Sequence, residues 1–143
     1  MNDKYIVYFI SKIKGKMIRF IEQRLNEYGM NELIVSHGNI LTALYDNGGQ
    51  LTMSQIAKMI GKDKSTVTPL INKLLKLGYI RKEKDETDKR ISYITLTDNG
   101  RGLEGKFNAI SQSVYETAYE GFSEQEKDTL LKLLKKLNVN FSR

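Results

Sequence analysis

With 143 residues, 23 of them Lys or Arg against 17 Asp or Glu, the chain carries a formal charge of +6 and has room for one cored domain, not for a catalytic domain beside a complete nucleic-acid reader. The absence of cysteine excludes disulfides, thiol switches, iron–sulfur clusters and cysteine-based zinc sites, and one histidine is a single ligand where zinc takes about three or four, so no metal or cofactor is expected. No apolar run approaches the roughly 18 to 20 residues of a membrane span, and Met1-Asn2-Asp3-Lys4 lacks the pattern of an export signal, so the expectation is a soluble, cytoplasmic protein with no membrane partner.

From Tyr5 to Tyr28, Ile6, Phe9, Ile10, Ile13, Met17, Phe20, Ile21 and Tyr28 form a helical stripe that Ile18 and Leu25 widen, opposite Lys12, Lys16, Arg19, Glu22, Gln23 and Asn26. So long an apolar helix exceeds what a small core can cover, and its natural partner is another chain. After Gly29 a polar turn leads to a short helix bearing Ile40, Leu41, Leu44 and Tyr45, with Ser36 as its expected N-cap. His37 reads most simply as a polar residue at a helix start. A sharper reading lets Ser36, His37 and Gly38 hold a DNA phosphate on the amides of that helix N-terminus. Asp46-Asn47-Gly48-Gly49 is a turn, and Gln50-Leu51 can add a short strand.

Thr52 and Gln55 then fit a capping box for a helix with Ile56, Met59 and Ile60 on one face, and Gly61 stops it. Asp63 can cap a second helix, whose inner side is Val67, Leu70, Ile71, Leu74 and Leu75 and whose outer side is Lys64, Ser65, Thr66, Thr68, Asn72, Lys73 and Lys76. Pro69 inside it predicts a kink, not a break. Two short helices joined by a glycine-containing turn, the second showing hydroxyls, an amide and amines, make a helix-turn-helix suited to a polyanion. Tyr79 to Glu83 and Arg90 to Leu96 follow as two strand-like runs around a polar tip, the pattern of a wing. Residues 62 to 90 hold nine bases and five acids, so 9 − 5 places +4 of the +6 on this segment, whereas residues 91 to 143 hold seven of each. Charge gathered in this way marks a reading head better than overall basicity does.

Thr97 is expected to cap a long helix reaching towards Tyr119, with Leu103, Phe107, Ile110, Val114 and Ala118 inside and Gly100, Gly102 and Gly105 weakening its first turns. Ser123 and Glu126 form another capping box, and Leu130, Leu133, Leu134, Leu137 and Phe141 follow on one face. Apolar helices at both ends, beyond the needs of a small core, suggest an intertwined homodimer. The expected architecture is mainly α with a small β-wing: a single domain over 1–143, with a winged helix-turn-helix at about 36–97 flanked by dimerisation helices at about 4–28 and 98–140.

Asp63-Lys64-Ser65-Thr66-Val67-Thr68, Leu74-Leu75-Lys76-Leu77-Gly78-Tyr79-Ile80, Asp88-Lys89-Arg90 and Ile94-Thr95-Leu96-Thr97-Asp98-Asn99-Gly100-Arg101, in this order and spacing, resemble the MarR family of winged-helix transcriptional regulators. The resemblance covers nearly the whole chain. It implies a homodimer on a pseudo-palindromic double-stranded operator, a repressor whose grip changes when a small-molecule effector binds. The redox-sensing branch of that family is excluded by the lack of cysteine. Lys64, Ser65, Thr66, Thr68, Pro69, Asn72 and Lys73 would face the major groove. There Asn72 could meet an adenine edge, Lys73 a guanine or a phosphate, and Pro69 or a threonine methyl a thymine methyl. By the family's wing motif Arg90 would enter the minor groove, aimed by Asp88, while Lys82, Lys84 and Lys89 serve phosphates. Phe9, Ile13, Ile40, Leu44 and Phe107 are candidates for lining an effector pocket, although each reads more simply as plain core.

Two other classes of function fit the residues less well. A winged-helix module for protein contacts, without its own operator, would favour an acidic recognition surface, and Asp63 is the one carboxylate there. An enzyme is disfavoured, since the chain has neither a phosphate-binding glycine loop nor a paired histidine–carboxylate motif.

Overall fold

Local capping chemistry sets most of the element boundaries in the computed structural model, which describes residues 4–142; Met1, Asn2 and Asp3, part of the stretch that lacks an export-signal pattern, lie outside them, as does Arg143. Helix α1 (Tyr5–Glu27) ends where Gly29 takes a positive φ of 78° and Met30 N–H returns to Leu25 O. Helix α2 (Val35–Asp46) leads into strand β1 (Gln50–Thr52). Helix α3 (Met53–Ile60) opens on the expected box: Thr52 Oγ1 accepts from Gln55 N–H at 3.1 Å, and Gln55 Oε1 accepts from Thr52 N–H at 2.9 Å. It closes at Gly61 in the left-handed region, φ 69°. Helix α4 (Lys64–Lys76) starts at Asp63 and runs unbroken through Pro69.

Strands β2 (Ile80–Lys84) and β3 (Ser92–Leu96) form the wing hairpin, and the antiparallel sheet has the order β1-β3-β2. Its register pairs Leu51 with Ile94 and Ile80 with Leu96, so the apolar side chains meet at the root of the hairpin. Beyond Ile80, β2 is exposed along its whole length, which carries the outer wing into solvent.

Two compact units divide the chain at Ile110 and Ser111. In the first, Leu25, Ile40, Leu41, Leu44, Ile56, Val67, Ile71, Leu74 and Ile94 are fully buried in one core. Of α1 only Leu25 is buried; Tyr5, Ile6, Tyr8, Phe9, Ile10, Ile13 and Met17 stand exposed. In the second unit, helix α7 (Glu124–Asn140) begins at the Ser123–Glu126 capping box, as expected, and buries none of its residues. Leu130, Leu131, Leu133 and Leu134 are exposed on it, with Leu133 at 56%.

Two expectations are corrected. Ser36 is not an N-cap: α2 starts at Val35 with Ile34 in that position, and His37 supplies the capping instead, its Nδ1 accepting from Ile34 N–H at 2.9 Å. The helix after Thr97 is not continuous either. Thr97 caps the short α5 (Asp98–Arg101), and α6 (Glu104–Ala118) starts after Gly102 and Leu103. The reason lies at Gly100, whose carbonyl accepts from Tyr45 Oη at 2.6 Å and from Leu103 N–H at 3.2 Å, a tightened turn in place of helical continuation. Gly100 also lies flat against the Tyr79 carbonyl, where any Cβ would overlap the oxygen.

Gly100→Ala should therefore destabilise the chain by about 1 to 3 kcal/mol or more through overpacking against backbone that cannot yield. Gly105→Ala, where a Cβ meets nothing within 4 Å on α6, should instead stabilise by about 0.5 to 1 kcal/mol through helix propensity. Urea unfolding midpoints of the two variants check the opposite signs.

Candidate nucleic-acid interface

Helix α4 is oriented by Val67, Ile71 and Leu74, which are buried at three- and four-residue spacing and turn the opposite face outward. Lys64, Ser65, Thr66, Thr68, Pro69 and Asn72 are exposed on that face, and Lys73 is half-buried at its edge. Asp63 Oδ1 accepts from Thr66 N–H at 2.8 Å and from Ser65 Oγ at 2.7 Å. These bonds, that from Ser65 first, hold its carboxyl below the usual range, so the one acid on this surface is spent on capping the helix. Thr68 Oγ1 donates back to Lys64 O at 2.8 Å. That bond occupies the hydroxyl proton of Thr68, and the exposed Pro69 ring beside it is apolar.

The wing tip is organised by a residue to which the sequence reading assigned no role. Asp85 Oδ2 accepts from Thr87 Oγ1 at 2.7 Å, Asp88 N–H at 2.9 Å and Thr87 N–H at 3.1 Å, while Oδ1 accepts from Tyr93 Oη at 3.1 Å. These donors, the Thr87 hydroxyl foremost, hold the Asp85 carboxyl down at about 2, ionised throughout the physiological range. Asp85 N–H to Ile91 O and Ile91 N–H to Asp88 O, both 3.0 Å, close the loop. The signal in the sequence is the Asp-x-Thr spacing of an Asx-turn.

Asp88 grips Arg90 with both oxygens, Oδ1 accepting from Nε at 3.0 Å and from the backbone N–H at 3.1 Å, and Oδ2 from a terminal guanidinium nitrogen at 2.9 Å. The Arg90 side chain is nonetheless 90% exposed, so the pairing orients the cation without burying it. Lys82, Lys84 and Lys89 are exposed on the same hairpin, and Arg81 is paired with Glu83 at 2.7 Å.

Other candidates are placed differently. His37 is turned inward, 6% exposed, with Nδ1 committed to Ile34, and the amides of His37 and Gly38 both donate to Ile34 O. The close approach that Gly38 permits is to the Phe107 ring, whose Cε1 would lie 3.0 Å from an added Cβ. Neither residue thus offers a phosphate the contact expected from the sequence; of that trio only Ser36, half-buried, keeps an uncommitted hydroxyl. Ile40, Leu44 and Phe107 are buried in the core whereas Phe9 is 55% exposed and Ile13 stands beside it on α1, so the five effector candidates do not share one environment. No group of three or more metal-ligating side chains occurs among the described residues. Nor is any helix there long and apolar enough to cross a membrane.

The sequence profile of the MarR family matches residues 29–91. The HTH-type transcriptional regulator SarZ of Staphylococcus haemolyticus is 33% identical over 95 residues, 66% of this chain and 63% of that protein, so the match spans somewhat under two thirds of that regulator. The uncharacterized HTH-type transcriptional regulator YybA of Bacillus subtilis is 31% identical over 103 residues, 72% of this chain and 68% of that protein. Among solved structures, a mutant MarR from E. coli complexed with operator DNA superposes with a TM-score of 0.82 at 20% identity, covering 92% of each chain.

Burial, and secondarily the charge of Lys73, lower the affinity of His37 for a proton, and Nδ1 must stay unprotonated to accept from Ile34. The folded pKa lies below the ordinary 6.5, so the unfolded chain takes up the proton first. Stability should be full above that value and fall below it, by at most about 1.4 kcal/mol per pH unit, until the folded chain is protonated too. His37→Gln keeps an acceptor at the same place in the box and should lack this part of the slope. Unfolding midpoints of both proteins between pH 5 and 7, if parallel, would refute the buried neutral imidazole.

Proposed function

Because the chain belongs to the MarR family, we propose that it is a homodimeric, sequence-specific DNA-binding transcriptional regulator that represses from a pseudo-palindromic operator and is released by a small-molecule effector. It is not an enzyme. The observation that carries the reading is the pairing of an acid-free exposed face on α4 with an arginine that Asp88 holds outward at the wing tip. Ser65, Thr66, Thr68, Pro69, Asn72 and Lys73 read base edges in the major groove. The Thr68 methyl and Pro69 ring suit a thymine methyl, and Asn72 suits adenine. Arg90 enters the minor groove beside them, and Lys82 and Lys89 meet phosphates. A surface for acidic protein partners would be served equally by unoriented lysines, whereas a guanidinium held in one direction by two carboxylate oxygens suits insertion into a narrow groove.

The dimer rests on the exposed apolar faces of α1 and α7. Several large side chains left in water on each helix, among them Phe9, Ile13, Leu130 and Leu133, form patches of the kind that mark association surfaces. Two heads in one dimer place half-sites about 10 base pairs apart, roughly 34 to 36 Å, on one face of the duplex. An effector acts by changing that separation. Leu130→Glu with Leu133→Glu should give a chain that sediments as a monomer at micromolar concentration and binds operator at least tenfold more weakly, although no DNA contact is altered.

Operator fragments selected from genomic DNA by the wild-type chain test the rest. Arg90→Ala should lose most affinity where the flanks are A·T-rich, because narrow A·T minor grooves hold arginine most strongly. Asp88→Ala should lose much of the same flank preference even though it removes a negative charge beside DNA. If Asp88→Ala tightens binding on both flanks and the double variant is additive, Arg90 is only a phosphate contact and the wing reading fails.

A further inference from the structure

Helix α1 carries a second surface on the side away from its apolar stripe. Between Lys4 and Ile21 every charged residue is basic: Lys4, Lys12, Lys14, Lys16 and Arg19, with Asp3 before and Glu22 after as the nearest acids in sequence. All five bases are exposed. At about 3.6 residues per turn, Lys4, Lys12 and Arg19 fall on the far side from Ile6 and Ile13, Tyr8 falls among them, and Tyr5 and Val7 lie on the flanks. These three apolar or aromatic side chains are 51% exposed at Tyr8, 52% at Tyr5 and 69% at Val7. Lys12 Nζ donates to Tyr8 Oη at 2.8 Å and stands 5.1 Å from the centre of that ring, and Lys4 Nζ stands 5.8 Å from the centre of the Tyr5 ring. Rings and cations are thus interleaved on one face, with no acid among them to neutralise it.

A second copy of the chain seated on the stripe, as in the dimer proposed above, covers one side of α1 and leaves this side in water. We propose that it is a docking surface for an anionic lipid bilayer, with α1 lying along the membrane plane, Tyr5, Val7 and Tyr8 among the headgroups, and the lysines and Arg19 on lipid phosphates. Charge complementarity sets the sign of the partner, because a run of bases without acids is drawn to the negative surface of such a membrane. Val7 separates a bilayer from a second nucleic acid: an aliphatic side chain neither pairs with phosphate nor stacks on a base, and it gains only by leaving water. Tyrosine, with an apolar body and a polar tip, suits the same depth, and lysine stems cover apolar surface while their ammonium groups stay at the phosphates. The lack of a spanning helix among the described residues bears on crossing a membrane, not on adsorption from one side.

None of these residues belongs to the DNA-reading set, so the two functions can be tested apart. The chain has no tryptophan, and Tyr8→Trp at this exposed position places a single fluorophore on the face. Its emission should shift to the blue on vesicles of phosphatidylcholine and phosphatidylglycerol in equal parts, and not on phosphatidylcholine alone. The wild-type chain should sediment with the mixed vesicles only. Lys12→Glu with Lys16→Glu should weaken that binding roughly tenfold or more, and Lys12→Gln with Lys16→Gln should weaken it less, in step with the charge removed. Both pairs should keep the wild-type preference for operator over unrelated duplex. No sedimentation with the mixed vesicles overturns the proposal. So does vesicle binding that Arg90→Ala abolishes and the α1 pairs leave intact, since the wing would then be the surface that meets lipid. Sedimentation without a blue shift, undone by soluble polyglutamate, overturns it as well and assigns the face to an acidic protein.

Discussion

How the wing stands relative to α4 depends on the few bonds that hold the chain where the hairpin returns to the core. Thr97 Oγ1 donates to Gly78 O at 2.6 Å and Thr97 N–H to Tyr79 O at 3.1 Å, which ties the end of β3 to the turn after α4. Tyr45 binds the Gly100 carbonyl from α2, and Leu96 N–H donates to Gly49 O at 2.9 Å, which adds the start of β1. Burial, together with the nearby Glu104 and Tyr79, pushes the Tyr45 hydroxyl up to about 12, so it remains a donor at any physiological pH. Because Gly100 has no side chain, these segments meet without a gap. These bonds hold the wing root against the helices that carry the reading head.

The electrostatics of the outer surface follow a second rule. Asp63, Asp85 and Asp88 are all held below the ordinary carboxylate range, and in each case the cause is hydrogen bonds from neighbouring donors. Each acid is satisfied locally and does structural work: Asp63 starts α4, Asp85 shapes the wing tip, Asp88 aims Arg90. Bases on the same surface are left without such partners, apart from Arg81 and Arg90 itself. A segment with five acids among nine bases can thus present a face on which the cations point outward. Because exposed ion pairs contribute little to stability, the Asp88–Arg90 pair matters for geometry rather than for holding the fold.

The apolar residues divide between two uses. Core positions such as Leu25, Ile40, Leu44, Ile56 and Ile94 are sealed within the first unit, whereas Tyr5, Ile6, Phe9, Ile10 and Ile13 on α1 and Leu130, Leu131, Leu133 and Leu134 on α7 stay in contact with water. Where α6 leads into α7, Tyr119 packs edge-on to Tyr115 and Phe122, and Lys127 of α7 lies over two of the rings. Under the proposed function, dimerisation and DNA reading use separate residues, so each can be altered without the other.

The sequence by itself determined what local chemistry controls. The Thr52–Gln55 and Ser123–Glu126 boxes, the Asp63 cap, the stop at Gly61 and the buried face of α4 depend on residues within one or two turns of each other, and all are found as read. The winged helix-turn-helix order was legible for the same reason, as was the concentration of positive charge between residues 62 and 90. What only the tertiary structure decided involves partners far apart in the chain. Ser36 looked like a cap, but the burial of His37 moved the helix start. Gly38 looked open to a ligand, but Phe107 occupies the space. Thr97 looked like the start of a long helix, but Tyr45, 55 residues before Gly100, takes the carbonyl at the break. Tyr93 reaches across the hairpin to Asp85. Capping and periodicity are encoded in neighbouring residues; which carbonyl or ring a distant side chain meets depends on the packing of the whole unit, which no local stretch of sequence contains.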